Sequence, residues 1–77
     1  MKFIVIHYRS NKQTNFYNLE DITSIQFYEY ENPELNTLRI RYEAHDFNLR
    51  VSACEWLPFK DFLDNEKMIT YTFFSKD

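Results

Sequence analysis

Cys54, His7 and His45 are the residues whose types could form a nucleophilic site. A cysteine nucleophile needs a general base within hydrogen-bond distance, about 3 Å, and surroundings that favour the thiolate. No motif of a thiol-enzyme family surrounds Cys54. Free cysteines are among the residues most often buried as small hydrophobic side chains. We therefore expect Cys54 to be a buried structural residue and not a nucleophile.

Metal-binding and acid–base motifs are also missing from the sequence. It contains no CxxC or HxxxH spacing of the kind that metal sites use, and it contains no glycine. A glycine-rich phosphate loop is thus excluded. His7 falls in a predicted strand, and His45-Asp46 falls in a predicted turn where an aspartate bonds to its own backbone. Acidic pairs such as Asp61 and Asp64 fall on predicted solvent-facing positions. We predict no enzyme activity, no cofactor and no metal.

The composition predicts one small domain, residues 1–77, held together by aromatic side chains. The chain has eight Phe, six Tyr and one Trp, and its single cysteine cannot form an internal disulfide. The net charge of −3 favours solubility and disfavours nonspecific nucleic-acid binding. A membrane-spanning helix needs about 20 consecutive apolar residues, and the sequence has no such run. We therefore expect a cytoplasmic protein.

Alternation of apolar and polar residues predicts six strands, with one helical turn after Asn18. The clearest case is 37–43, where Leu38 and Ile40 face inward while Arg39 and Arg41 face outward. The predicted strands are 2–8, 14–17, 24–31, 37–43, 47–52 and 68–74.

A single helix is predicted before the last strand. Ser52 and Glu55 have the spacing of a capping box, but a helix beginning there would enclose Pro58 at a cost of about 3 kcal/mol. We therefore predict that the helix begins between Glu55 and Leu57, with Pro58 in its first turn. An apolar stripe from Trp56 to Leu63 would face the sheet.

These elements predict an α+β fold. It would be a mostly antiparallel sheet of five to six strands with one helix, from the C-terminal half, on one face. The order is β-β-(turn)-β-β-β-α-β. One helix covers about three strands. The other face of the sheet must therefore be exposed to solvent, enclosed by curling of the sheet, or covered by a partner.

The outward side of the central strands is the first candidate binding surface. Its predicted partner-binding residues are Tyr28, Tyr30, Arg39, Arg41 and Arg50. Interface cores are enriched in Tyr and Arg, so we predict a non-enzymatic protein-binding module. One form would be a small inhibitor, of the type that phages encode, that occludes a partner surface. The alternative is single-stranded nucleic-acid binding, in which tyrosines stack on bases and arginines neutralise phosphates.

The first and last strands form a second candidate surface because both are apolar on two faces. Phe3, Val5, Thr70, Thr72 and Phe74 would lie together if these strands were neighbours. An uncovered apolar patch of several hundred Å² usually marks an interface. The partner there would be another protein or a second copy of the chain in a homodimer.

Overall fold

The computed structural model describes residues 1–75 and confirms the α+β class and the order of elements. Two short 3₁₀ turns, Leu19–Asp21 and Pro33–Leu35, lie in the loops before β3 and β4. The strands and the helix are β1 Phe3–Tyr8, β2 Thr14–Asn18, β3 Ile22–Tyr28, β4 Thr37–Tyr42, β5 His45–Arg50, α1 Ala53–Asp64 and β6 Thr70–Ser75.

The six strands are divided between two three-stranded sheets. Sheet A has the order β2-β1-β6, with β1 antiparallel to β2 and parallel to β6. Sheet B is a meander of antiparallel strands in the order β3-β4-β5. The chain leaves sheet A through the turn that Asn18 caps, where its side chain accepts from the Glu20 amide. Helix α1 later carries the chain from sheet B back to sheet A.

The inner faces of the two sheets meet in one hydrophobic core. The ring of Tyr17 on β2 lies 4.9 Å from that of Phe47 on β5 and 5.0 Å from that of Tyr42 on β4. Each sheet therefore buries one face and turns the other outward. The core residues are Ile4, Ile6, Leu38, Ile40, Leu49, Val51, Phe59, Phe62 and Phe73.

Helix α1 begins earlier than the position of Pro58 predicts. Ser52 is the N-cap: its Oγ accepts from the Glu55 amide at 3.3 Å and donates to the Glu55 carboxylate at 3.2 Å. The predicted start at 55–57 is wrong because this capping box forms and because Phe59 and Phe62 are fully buried. Pro58 removes one helical bond, the one that would reach the carbonyl of Cys54, and Cys54 is an exposed residue.

Two hairpin turns use left-handed backbone without glycine. Lys12, between β1 and β2, has φ 56°, and Glu43, between β4 and β5, has φ 57°. The Glu43 turn is short, so that β5 begins at His45. The prediction that His45 and Asp46 lie in the turn is therefore wrong, because the strand extends further than the run of apolar residues that marks it.

Candidate partner-binding face

The outer face of sheet B is a grid of three strands by three rows, set by the strand register. Tyr28 is paired with Thr37 and Thr37 with Arg50, which form one row. The same pairing generates the other two rows. From β3 to β5, the middle row is Gln26, Arg39 and Asn48, and the last row is Ser24, Arg41 and Asp46. We call this grid, together with the adjoining Tyr30, the arginine face.

Asp46 is held between two of the three arginines. Arg39 Nη2 lies 2.8 Å from Asp46 Oδ2, and Arg41 Nε lies 3.8 Å from Asp46 Oδ1. The bond from Arg39 lowers the pKa of Asp46, and the same bond raises the pKa of Arg39. The Arg39 and Arg41 side chains remain about half exposed, at 47% and 55%. The face thus already binds one carboxylate and still presents guanidinium groups to solvent.

Tyrosine and arginine side chains surround an open depression of about 570 Å³ on this face. Arg50 Nη1 donates to the carbonyl oxygen of Leu35 at 2.8 Å, which fixes its position at one side. The Tyr28 hydroxyl donates to Gln26 Oε1 at 2.7 Å. The depression is lined by Tyr28, Tyr30, Thr37, Arg39, Asn48, Leu49 and Arg50.

The buried side chain of Asn36 positions Tyr30, which lies beyond the end of β3. Asn36 Oδ1 accepts from the Tyr30 amide at 2.8 Å, and the Asn36 carbonyl accepts from the Val51 amide at 3.2 Å. Asn36 is only 3% exposed. Asn36 thus ties the loop that carries Tyr30 to the residue that follows β5, through its side chain to Tyr30 and through its backbone carbonyl to Val51.

The structure brings the five predicted partner-binding residues onto one side of sheet B. Tyr28, Tyr30, Arg39 and Arg50 line the depression described above. Arg41 lies in an adjoining hollow of about 270 Å³, lined by Ser24, Gln26, Arg39, Arg41 and Asp46. That these residues bind a partner stays a prediction. Sequence reasoning missed Asp46, although a short β4–β5 turn would have placed it opposite Arg41.

The residues considered for catalysis are dispersed. Cys54 is exposed, so the expectation that it is buried is wrong; it lies in the first turn of α1, outside the apolar stripe. His7 Nδ1 shares a 2.7 Å hydrogen bond with Thr14 Oγ1. Its ring meets the edge of Phe74 with a centroid separation of 5.8 Å. Within residues 1–75, no group of three or more His, Cys, Asp or Glu side chains is arranged to hold a metal ion.

Comparison with known proteins gives no match: no family model matches the chain, and no curated protein or solved structure is significantly similar to it. In the part of the chain that the structure describes, no helix has the length and apolar character needed to cross a bilayer.

Proposed function

We propose that the protein is a non-enzymatic binding module whose arginine face binds an acidic segment of a protein partner. One observation carries the proposal. Arg39 and Arg41 share the Asp46 carboxylate, and Arg50 lines the same depression as Arg39. A partner carboxylate therefore finds guanidinium donors already aligned beside exposed tyrosines.

The distribution of charge supports an acidic partner. The grid holds three arginines and one aspartate, a net charge of +2 within a chain whose net charge is −3. The rest of the chain therefore carries −5, which is the difference between −3 and +2. A positive face on an otherwise acidic protein orients the encounter, because an acidic segment is attracted to this face and repelled elsewhere.

Asp46 shows how a partner carboxylate can be bound. Its two oxygens approach Arg39 and Arg41 from the β5 side. Guanidinium groups carry five donors in a planar fork, so an arginine that binds one carboxylate keeps donors for a second. A carboxylate entering from solvent would bind the free edge of Arg41 or the space between Arg39 and Arg50, across Asn48.

Tyr28 and Tyr30 supply the apolar part of such a contact. They are 39% and 50% exposed, so each presents a large ring area that a partner can cover. Tyrosine buries area at a small cost in conformational entropy and is common at the energetic centres of interfaces. Covering the partner's surface would itself block other ligands, so an inhibitor that acts by occlusion is the finer form of this proposal.

The test is a titration with an oligoglutamate peptide followed by isothermal calorimetry, with an oligolysine peptide as the opposite-charge control. Two or three charge-assisted bonds predict a dissociation constant of about 0.1–1 mM. Arg41→Glu should weaken binding about tenfold or more, because Arg41 is exposed and its only described ion pair is the 3.8 Å contact with Asp46. Lys60→Glu, the same change on the exposed side of α1, should have little effect. Equal affinity for the two peptides would contradict the proposal.

Single-stranded nucleic acid is the alternative ligand, because exposed tyrosines beside arginines on a sheet face can stack on bases and neutralise phosphates. Asp46 opposes it, since its carboxylate lies among the same guanidinium groups. Three phosphate contacts predict an affinity that falls with salt at a logarithmic slope of about −2. Tight binding of oligothymidylate, lost when Arg39 and Arg41 are both changed to Ala, would favour this alternative over the acidic partner.

A further inference from the structure

The outer face of sheet A differs from the arginine face in chemistry. Because β1 and β6 are neighbours, Phe3, Val5, Thr70, Thr72 and Phe74 lie on it together, as the sequence predicts for that arrangement of the strands. The register gives three rows across β2, β1 and β6. The rows are Asn18, Phe3, Thr70, then Phe16, Val5, Thr72, then Thr14, His7, Phe74. We call these nine residues the neutral face.

None of the nine residues is Asp, Glu, Lys or Arg, although these types make up 27% of the chain. Two of the rings are largely uncovered: Phe16 is 68% and Phe74 is 60% exposed. On a protein of net charge −3, a face without carboxylates is the surface on which a second copy meets no like charge. Such a face is electrostatically complementary to itself.

The positions of the two rings make the neutral face complementary to itself in shape as well. A two-fold axis parallel to β1, lying between two stacked sheets, brings β2 of one copy opposite β6 of the other. Phe16 then lies over Thr72 of the second copy, because both pair with Val5. Phe74 lies over Thr14, because both pair with His7. Each of these two rings thus faces a small side chain, as in the interdigitated packing of stacked sheets. The β1 residues Phe3, Val5 and His7 each face their counterpart in the second copy.

We propose that the neutral face is the seam of a homodimer with this two-fold axis. Three strands about 4.8 Å apart and three rows about 7 Å apart cover about 300 Å² on each copy. Stable complexes bury about 800 Å² on each partner, so the dimer is weak, with a dissociation constant of about 10 µM to 1 mM. The two arginine faces lie on opposite outer sides of the dimer, which makes it bivalent.

Sedimentation equilibrium on the full chain, from about 10 µM to about 1 mM, tests the proposal. The average mass should rise with concentration toward twice the monomer mass. Phe16→Lys and Thr72→Glu should each weaken the dimer about tenfold or more, because each puts a charge against the partner sheet. Thr23→Glu, on an exposed residue of sheet B, should leave it unchanged. Phe16→Ser, which adds no charge, should also weaken the dimer.

The double variant F16K/T72E tests the orientation of the axis. With the axis parallel to β1, opposite charges face each other twice across the seam, and dimerisation should recover relative to either single variant. With an axis perpendicular to the strands, each introduced charge would face the same charge on the second copy, and the dimer would weaken further. Both residues are exposed, and circular dichroism checks that every variant is folded. A wild-type mass that stays monomeric at about 1 mM, single variants that dimerise normally, or a double variant that fails to recover would each overturn the proposal.

Discussion

Lys2 should contribute far more to the stability of the fold than an exposed lysine usually does. Its Nζ donates to the backbone carbonyl of Phe62 and, at 2.7 Å, to that of Asn65, with the carbonyl of Leu63 at 3.4 Å. The same ammonium group lies 4.7 Å from the centre of the Phe62 ring. A residue from the start of the chain thus supplies the positive charge at the C-terminal end of α1, where the last turn has no basic residue of its own.

The magnitude follows from these contacts. A charge-assisted hydrogen bond contributes about 1.5–3 kcal/mol, and a cation at a helix C-terminus contributes about 0.3–1 kcal/mol. The contributions overlap, and in Lys2→Met the carbonyls regain water, so we expect a loss of about 2 kcal/mol. For a domain of this size, that loss lowers the melting temperature by about 10 °C. It also lowers the urea midpoint by about 2 M at a slope of about 1 kcal/mol per M.

Urea unfolding followed by tryptophan fluorescence measures this loss, because the single Trp56 stacks on Phe27 at 4.9 Å in the folded state. Lys60→Met is the matched control. Lys60 is exposed on the same helix, and methionine and lysine have similar helix propensities. A midpoint for Lys2→Met within about 0.5 M of the Lys60→Met midpoint would correspond to less than about 0.5 kcal/mol and would show that the contacts of Lys2 add little stability.

Three further predictions concern the turns and the arginine face. Glu43→Gly should stabilise the protein by about 0.5–1 kcal/mol in thermal unfolding, because φ 57° strains a residue that has a Cβ. Asn36→Ala should cost about 1–3 kcal/mol in urea unfolding, because the Tyr30 amide loses its acceptor in a partly buried place. The lowered pKa of Asp46 means that its bond to Arg39 stabilises the fold above about pH 4 and is lost as the pH falls through the folded-state pKa. Asp46→Asn should therefore reduce the urea midpoint at neutral pH and leave it nearly unchanged in acid.

Each of these predictions has a contrasting outcome. A lower melting temperature for Glu43→Gly would mean that the entropy of glycine in the unfolded chain outweighs the relief of strain. Asn32→Ala also removes a side-chain acceptor, for the Glu34 amide, but in an exposed turn, so it should cost less than Asn36→Ala. Equal losses of stability in Asn36→Ala and Asn32→Ala would contradict the role that we assign to the burial of Asn36. If the urea midpoint of Asp46→Asn changes with falling pH in parallel with that of the wild type, the ion pair does not stabilise the fold.

The local part of the fold could be predicted from the sequence. In β4 the alternation of Leu38 and Ile40 with Arg39 and Arg41 assigns the inner and outer faces correctly. This works because neighbouring side chains on a strand point to opposite sides of the sheet. The sequence predicts the start of α1 wrongly, because the helix-breaking effect of Pro58 is local whereas the burial of Phe59 and Phe62 that offsets it is a tertiary effect.

The division into two sheets could not be predicted from the sequence. Alternation shows which residues share a face but does not show which strands are neighbours. The parallel pairing of Phe3 with Thr70 joins the two ends of the chain, and no local pattern encodes it. No local pattern encodes the contact between Lys2 and the C-terminal end of α1 either. The arginine face was more predictable, because the register of the β4–β5 hairpin is set by a short turn.

We propose that this protein binds its partner through the arginine face. The most direct measurement is a map of backbone amide chemical shifts in the isotope-labelled protein during titration with oligoglutamate. We expect saturable shifts confined to β3, β4 and β5, around Arg41 and the depression that Tyr28 lines, and we expect these shifts to be lost in Arg41→Glu. Shifts that cluster on sheet A, or that persist unchanged in Arg41→Glu, would contradict the proposal.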